Sequence, residues 1–194
     1  MTVKLVGSSS GSVALDAPAS TTSGANIEFK LPVADGSADQ IIKTDGSGNL
    51  AFATPKLPHA FVFMDSQYFT TSATKIGFNT STTNDQSFGV TIDRTNKRFT
   101  PTIGGVYQVM TSLQHSYSSG GSNIRFVVFQ YKNGAEFAYQ TGHTNTSGQV
   151  DSVTCLSVMS LNGSGDYVEF YAKHNGSGNG VCGSNSTFYI TRIG

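Results

Sequence analysis

Residues 165–174 read Gly-Asp-Tyr-Val-Glu-Phe-Tyr-Ala-Lys-His, residues 175–180 Asn-Gly-Ser-Gly-Asn-Gly, and residues 187–194 Thr-Phe-Tyr-Ile-Thr-Arg-Ile-Gly. In the first run Val168, Phe170 and Ala172 fall on one face, and Tyr167, Glu169, Tyr171 and Lys173 on the other. A period of two marks a half-buried strand. In the closing run Phe188 and Ile190 share one face, Tyr189 and Ile193 the other. Two strands flanking a loop of glycine and asparagine set the expectation: an all-β sandwich built around this pair, with the closing strand held inside a sheet.

Composition agrees. Of 194 residues 37% are hydrophobic and only 12% charged, and the formal net charge is zero. Binding to a nucleic-acid backbone needs clustered Lys and Arg, so no nucleic-acid partner is expected. Glu28, Glu136 and Glu169 are the only glutamates, and β-branched and aromatic runs alternate with Ser, Thr, Gly and Asn. No stretch approaches the ~18 apolar residues of a membrane span, so no membrane insertion is expected. The N-terminal apolar run, Val3–Val6, is too short for a signal peptide, which predicts synthesis without export by that route. Cys155 and Cys182 are expected as reduced thiols, although spacing leaves a bridge open.

Residues 1–56 differ from the rest. They hold short apolar snippets, such as Gln40–Thr44 and Asn49–Phe52, bounded by Gly, Ser, Asp or Pro. Such pieces cannot bury a core alone. They form either a flexible tail or a segment ordered when copies wrap together or dock on a larger particle. Thr54-Pro55-Lys56-Leu57-Pro58 reads as the linker.

The phrase Gly11-Ser-Val-Ala-Leu-Asp-Ala-Pro-Ala19, then Leu31-Pro32, then Asp35 through Leu50, resembles a module of phage tail fibres and other virion proteins, notably of marine cyanobacterial phages. It covers about the first quarter of the chain. The resemblance implies a virion protein, assembled in the host cytoplasm, whose residues 1–56 contact other virion proteins and whose terminal domain is a head.

From residue 57 strand-length runs follow one another: His59–Met64, Thr74–Phe78, Phe88–Asp93, Arg98–Pro101, Val106–His115, Asn123–Tyr131, Glu136–Gln140, Val150–Leu161, Gly165–Lys173 and Thr187–Ile193. Asn133-Gly134, between two β runs, is the strongest short hairpin signal. Many short strands at this spacing suit a sandwich or jelly roll. The order Phe88-x-Val90-x-Ile92-Asp93, Arg98-Phe-Thr-Pro101, Gly104-Gly-Val-Tyr107, Lys132-Asn-Gly134, Gly165-Asp-Tyr-Val168 and the closing Thr187-Phe188 strand is similar to the globular heads of complement and tumour-necrosis-factor-like proteins. That resemblance implies a jelly roll of about ten strands over residues 57–194, assembled as a homotrimer. The loops depart from the family, so no ligand residues carry over.

The residues themselves bear on the trimer. Phe126 and Val128 alternate with Val127 and Phe129, so that strand is apolar on both faces. A sheet in a two-layer sandwich meets the core with one face only. Phe61 and Phe63, beside Val62 and Met64, and Tyr167 and Tyr171, beside Val168 and Phe170, repeat the pattern. The second cover is either a neighbouring subunit or a long loop of the same chain. The subunit reading makes Phe61, Phe63, Phe126, Val128, Tyr167 and Tyr171 interface residues.

No nucleophile elbow, phosphate loop or dinucleotide fingerprint occurs, and His59, His115, His143 and His174 have no metal-ligand spacing. No cofactor, metal or enzymatic activity is expected. Loops on rigid scaffolds carry binding groups. The candidates for a host-surface glycan or protein are Tyr117, His143, Asn145, His174, Asn175 and Asn179, with solvated loop histidines as the plain alternative for His143 and His174. The expected function is a trimeric tail fibre or spike with a receptor-binding head. The alternatives are a capsid decoration protein or head fibre held through residues 1–56 and, more remotely, a depolymerase-like enzyme.

Overall fold

The computed structural model describes residues 3–6, 12–15, 18–21, 24–79, 83–117, 124–144, 150–176 and 178–194. The chain divides into two compact units, Met1–Pro55 and Lys56–Gly194.

The first unit contains two antiparallel hairpins. One joins β1 (Val3–Val6) to β2 (Ser12–Leu15), the other β3 (Ile41–Thr44) to β4 (Leu50–Ala53). The second hairpin is closed by Asp45, whose carboxylate accepts from Ser47 N (2.7 Å) and from Asn49 Nδ2 (2.6 Å). Val6, residues 18–21 and residues 24–55 include no buried residue. Ile27, Phe29, Leu31 and Val33, every second residue from 27 to 33, all stand exposed.

The second unit is a jelly-roll sandwich. One sheet has the order β13 (Ala135–Thr144), β12 (Ile124–Lys132), β15 (Val168–His174), β10 (Arg98–Pro101), β9 (Val90–Asp93), with β7 (Thr74–Lys75) pairing β15. The other has the order β6 (Gln67–Phe69), β16 (Gly180–Cys182), β11 (Gly105–Tyr117), β17 (Thr187–Arg192), β5 (His59–Phe63), β8 (Gln86–Phe88). The long β14 (Val150–Leu161) pairs the remaining edge of β11. The closing strand β17 is held between β5 and β11.

The alternation legible in the sequence puts the core between the sheets. Val168, Phe170 and Ala172 of β15 face Phe188 and Ile190 of β17, and all are fully buried. Phe170 and Phe188 stack at 4.1 Å between centroids, and Phe78 and Phe99 extend the aromatic layer. Each such ring removes enough apolar area from water to contribute ~1.5–3 kcal/mol. The β12–β13 hairpin closes on Asn133 (φ 53) and Gly134 (φ 78). Positive φ at both central residues defines the turn whose twist matches paired strands, and Asn-Gly adopts it at least cost.

The strand with apolar residues on both faces departs from expectation. Phe126 and Val128 are fully buried members of the core, so they are not interface residues. Gln130, next on that face, bridges the two sheets: its Nε2 donates to Val109 O (3.1 Å) and Cys155 O (3.0 Å), and its Oε1 accepts from Ser157 Oγ. Val127 and Phe129 point outward yet are only 5% and 4% exposed. Neither a neighbouring subunit nor a long loop is needed for that burial, because side chains of adjacent strands reach across: Lys173 lies over the Phe129 ring and Tyr139 packs beside it. Cys155 and Cys182 are buried and unbridged, and burial pushes their thiols up to about 11 and about 12.

Candidate functional site

Register explains which polar groups meet. On the outer face of the β13–β12–β15 sheet, His143 is paired with Arg125. Asn175 continues that row beyond β15: its side-chain oxygen accepts from Arg125 N (2.8 Å) and its own N–H donates to Arg125 O (3.2 Å). The next outward row is Thr141, Val127 and Lys173, and the row after it Tyr139, Phe129 and Tyr171. A cationic band therefore borders an aromatic one. Two hollows of about 300 and 350 Å³ lie along them and share Arg125, Val127 and Lys173 as walls. Tyr139 and Thr141 line the first, Thr71 and Asn175 the second.

Two of the residues singled out in the sequence, His143 and Asn175, are thus brought together through Arg125, which sequence reasoning missed. Asn179 is exposed in the segment before β16. Tyr117 ends β11 with its backbone opposite Gly180, and its side chain lies outside the described part. Asn145 lies outside the described residues.

His174 is a correction. It is buried at the end of β15, a structural group and neither a solvated loop histidine nor a freely offered ligand donor. Its Nε2 lies 3.1 Å from Phe69 O, and Gly176 N donates to its Nδ1 (3.0 Å). Gly180 N also donates to Nε2 (3.2 Å). An amide N–H can only donate, so the amides at both ring nitrogens disfavour the doubly protonated ring and hold His174 neutral. Burial lowers its pKa, with the Phe69 carbonyl opposing.

A third hollow, of about 280 Å³, is lined by Phe63, Asn79, Asn84, Asp85, Ser184 and Asn185. Arg94 fixes one wall by pairing with Asp85 and donating to Asn79 O (2.9 Å). Ser186 anchors the opposite turn, its hydroxyl accepting from Gln114 N (2.8 Å) and donating to Gln114 O (3.1 Å). Among the described residues no three His, Cys, Asp or Glu side chains gather as a metal site, and no helix is long and apolar enough to cross a membrane.

The outer face of the other sheet is of a different kind. Phe61 pairs Tyr189, Tyr189 pairs Met110 and Met110 pairs Leu156. All point away from the core, so an apolar row crosses the sheet from β5 to β14. Leu156 and Val158 are more than half exposed, at 58% and 53%. Phe63 joins this face edge-on to Phe61 (5.2 Å). Tyr167 and Tyr171 lie on the opposite sheet, where Arg98 covers the first ring and Tyr131 packs on the second.

The fold class these features define is an all-β jelly roll, with candidate binding hollows on the outer face of one sheet and at the head's edge. No family model matches the chain, and no curated protein does. Among solved structures, the crystal structure of murine APRIL at pH 5.0 superposes with a TM-score of 0.51 at 10% identity, covering 71% of this chain and 100% of that one. At that identity the likeness shows the jelly-roll fold alone.

Proposed function

We propose that this chain is a virion protein, a homotrimeric fibre or spike whose jelly-roll head, residues 57–194, binds a host-surface saccharide. The observation that carries the reading is the polarity of the head. The chain enters the head at one end, where Arg192 N donates to Pro58 O (2.7 Å) and Val106 N to Gly194 O (2.9 Å). The β11 register runs from there to His115–Tyr117, which pair with β16 at the far end. Arg125, Asn175, Ser184 and Asn185 gather towards that far end, as the tip of an adhesin requires.

The apolar row from Phe61 to Leu156 supports the trimer. A second copy is the natural cover for such a face, because obligate homo-oligomer interfaces resemble a core cut in half. In the first unit the exposed Ile27, Phe29, Leu31 and Val33 support attachment to other virion proteins, since an unburied alternating stretch of this kind needs a partner surface. The same observation favours the second reading, a decoration protein or head fibre gripping the capsid. Binding, with no cofactor or catalysis, is the whole of the proposed activity. Purified protein added to host cells is expected to bind them and to compete with virus adsorption. Failure to bind cells, together with tight binding to particles lacking the protein, would replace the adhesin by the decoration protein.

A further inference from the structure

We infer that the joined hollows on the outer face of the β13–β12–β15 sheet take an acidic sugar, its carboxylate or sulfate held between Arg125 and Lys173. This rests on the proposed adhesin and names its ligand class.

The charge pattern points there. The chain is neutral overall. In the head Lys75, Arg94, Arg98 and Lys132 each pair with a carboxylate. Lys56, Lys97, Arg125, Lys173 and Arg192 have no ion pair among the described residues, and of these Arg125 and Lys173 share one sheet face in adjoining rows and the same hollows. Arg125, Lys173 and Glu136 line the first hollow together, so two cations there exceed one carboxylate, and an anion entering it meets a net positive charge.

The Arg125 backbone and the Lys173 ammonium are positioned. The Arg125 backbone is locked on both sides by Asn175. The Lys173 ammonium lies 5.0 Å from the Phe129 ring centre, which limits where its flexible stem can swing. Beneath them the floor is apolar, because Val127 and Phe129 are almost wholly covered. A dry floor on one side lowers the local dielectric and strengthens charge-assisted hydrogen bonds above it.

The surroundings suit a sugar. Tyr139 is 61% exposed and offers a ring face to the C–H side of a pyranose. Thr141 in one hollow, and Thr71 and Asn175 in the other, offer groups for its hydroxyls. Each hollow sits near the small end of the ~300–1,000 Å³ range of ligand pockets, room for a sugar ring apiece. Glu136 stands on the wall of the first hollow. Its carboxylate accepts from hydroxyls and repels a second anion, which favours a singly charged sugar over a polyanion.

The full chain titrated with 3′-sialyllactose, lactose 3′-sulfate and lactose, followed by NMR shifts or calorimetry, tests this. The two acidic sugars separate a carboxylate ligand from a sulfate ligand. At least one is expected to bind saturably, about tenfold or more tighter than lactose, and to weaken as salt rises. The double variant Arg125→Gln/Lys173→Gln is expected to lose that preference while keeping its far-ultraviolet spectrum and melting temperature. Saturable binding of neither acidic sugar, equal binding of lactose, or an unchanged preference in the variant overturns the inference. Host-cell adsorption separates the two levels. If wild type adsorbs and the double variant adsorbs equally, the adhesin stands and this site fails; if wild type does not adsorb, the adhesin itself fails.

Discussion

His115 stacks on Phe126 with ring centroids 3.6 Å apart, and neither of its ring nitrogens has a hydrogen-bond partner among the described residues. Burial lowers its pKa to about 4, with Asp151 pulling the other way. In the unfolded chain the same group binds its proton near pH 6.5. Between about pH 6.5 and 4 the unfolded chain therefore takes up the proton and the folded chain does not. Stability is fully present above that window and falls as acid is added, by on the order of 2–3 kcal/mol at pH 4. His174, also held neutral, acts in the same direction. His115→Leu is expected to flatten the acid limb of a denaturant-midpoint profile while leaving the smaller share of His174. An acid limb unchanged in the variant would assign the pH dependence elsewhere. Gln130 poses the opposite case, a buried amide whose groups are all used. Gln130→Leu leaves the Val109 and Cys155 carbonyls and the Ser157 hydroxyl without that partner, so chemical denaturation is expected to show a loss of about 2–3 kcal/mol.

Strands of this head were legible wherever one face met the core and the other met water. Val168, Phe170 and Ala172 announced their face before any contact was known, and the alternation in fact continues to His174, the signal that its ring is buried. The following Gly-Asn run disguised it as a loop residue. In β12 the rule had nothing to grip, because Phe126–Val128 and Val127–Phe129 are equally apolar; only the register with β15 decides which pair faces the core. The pairings of Arg125 with His143 and with Asn175 span such long stretches of chain that periodicity cannot reveal them. The Asn133-Gly134 turn is local and was readable. Gly134→Val forces a branched side chain to φ 78, and a loss of roughly 1–3 kcal/mol is expected by thermal unfolding. Leu156 on β14 makes a different prediction. It is more than half exposed in the isolated chain, so Leu156→Arg is expected to leave the fold intact, with circular dichroism unchanged, yet to drive the proposed trimer to monomer. A variant that stays trimeric would move the interface off this face.

At the scale of the molecule the two units differ in how completely they satisfy themselves. The head has an aromatic core sealed between two sheets. In the first unit no residue of 24–55 is buried, and Ile27, Phe29, Leu31 and Val33 stand exposed. The proposed fibre or spike would divide labour in this way, with the first unit attaching and the second binding. The chain enters this second unit at one extremity, and Arg125, Asn175, Ser184 and Asn185 lie towards the other. The apolar row from Phe61 to Leu156 crosses the strands between these extremities, and it is the face proposed above for contact between copies. The central claim is that copies do meet there, and the most direct measurement is the solution mass of the full chain by multi-angle light scattering at micromolar concentration. The account predicts three times the 20.5 kDa chain mass, falling to that of a single chain in Leu156→Arg. A wild-type protein that scatters as a monomer would contradict it.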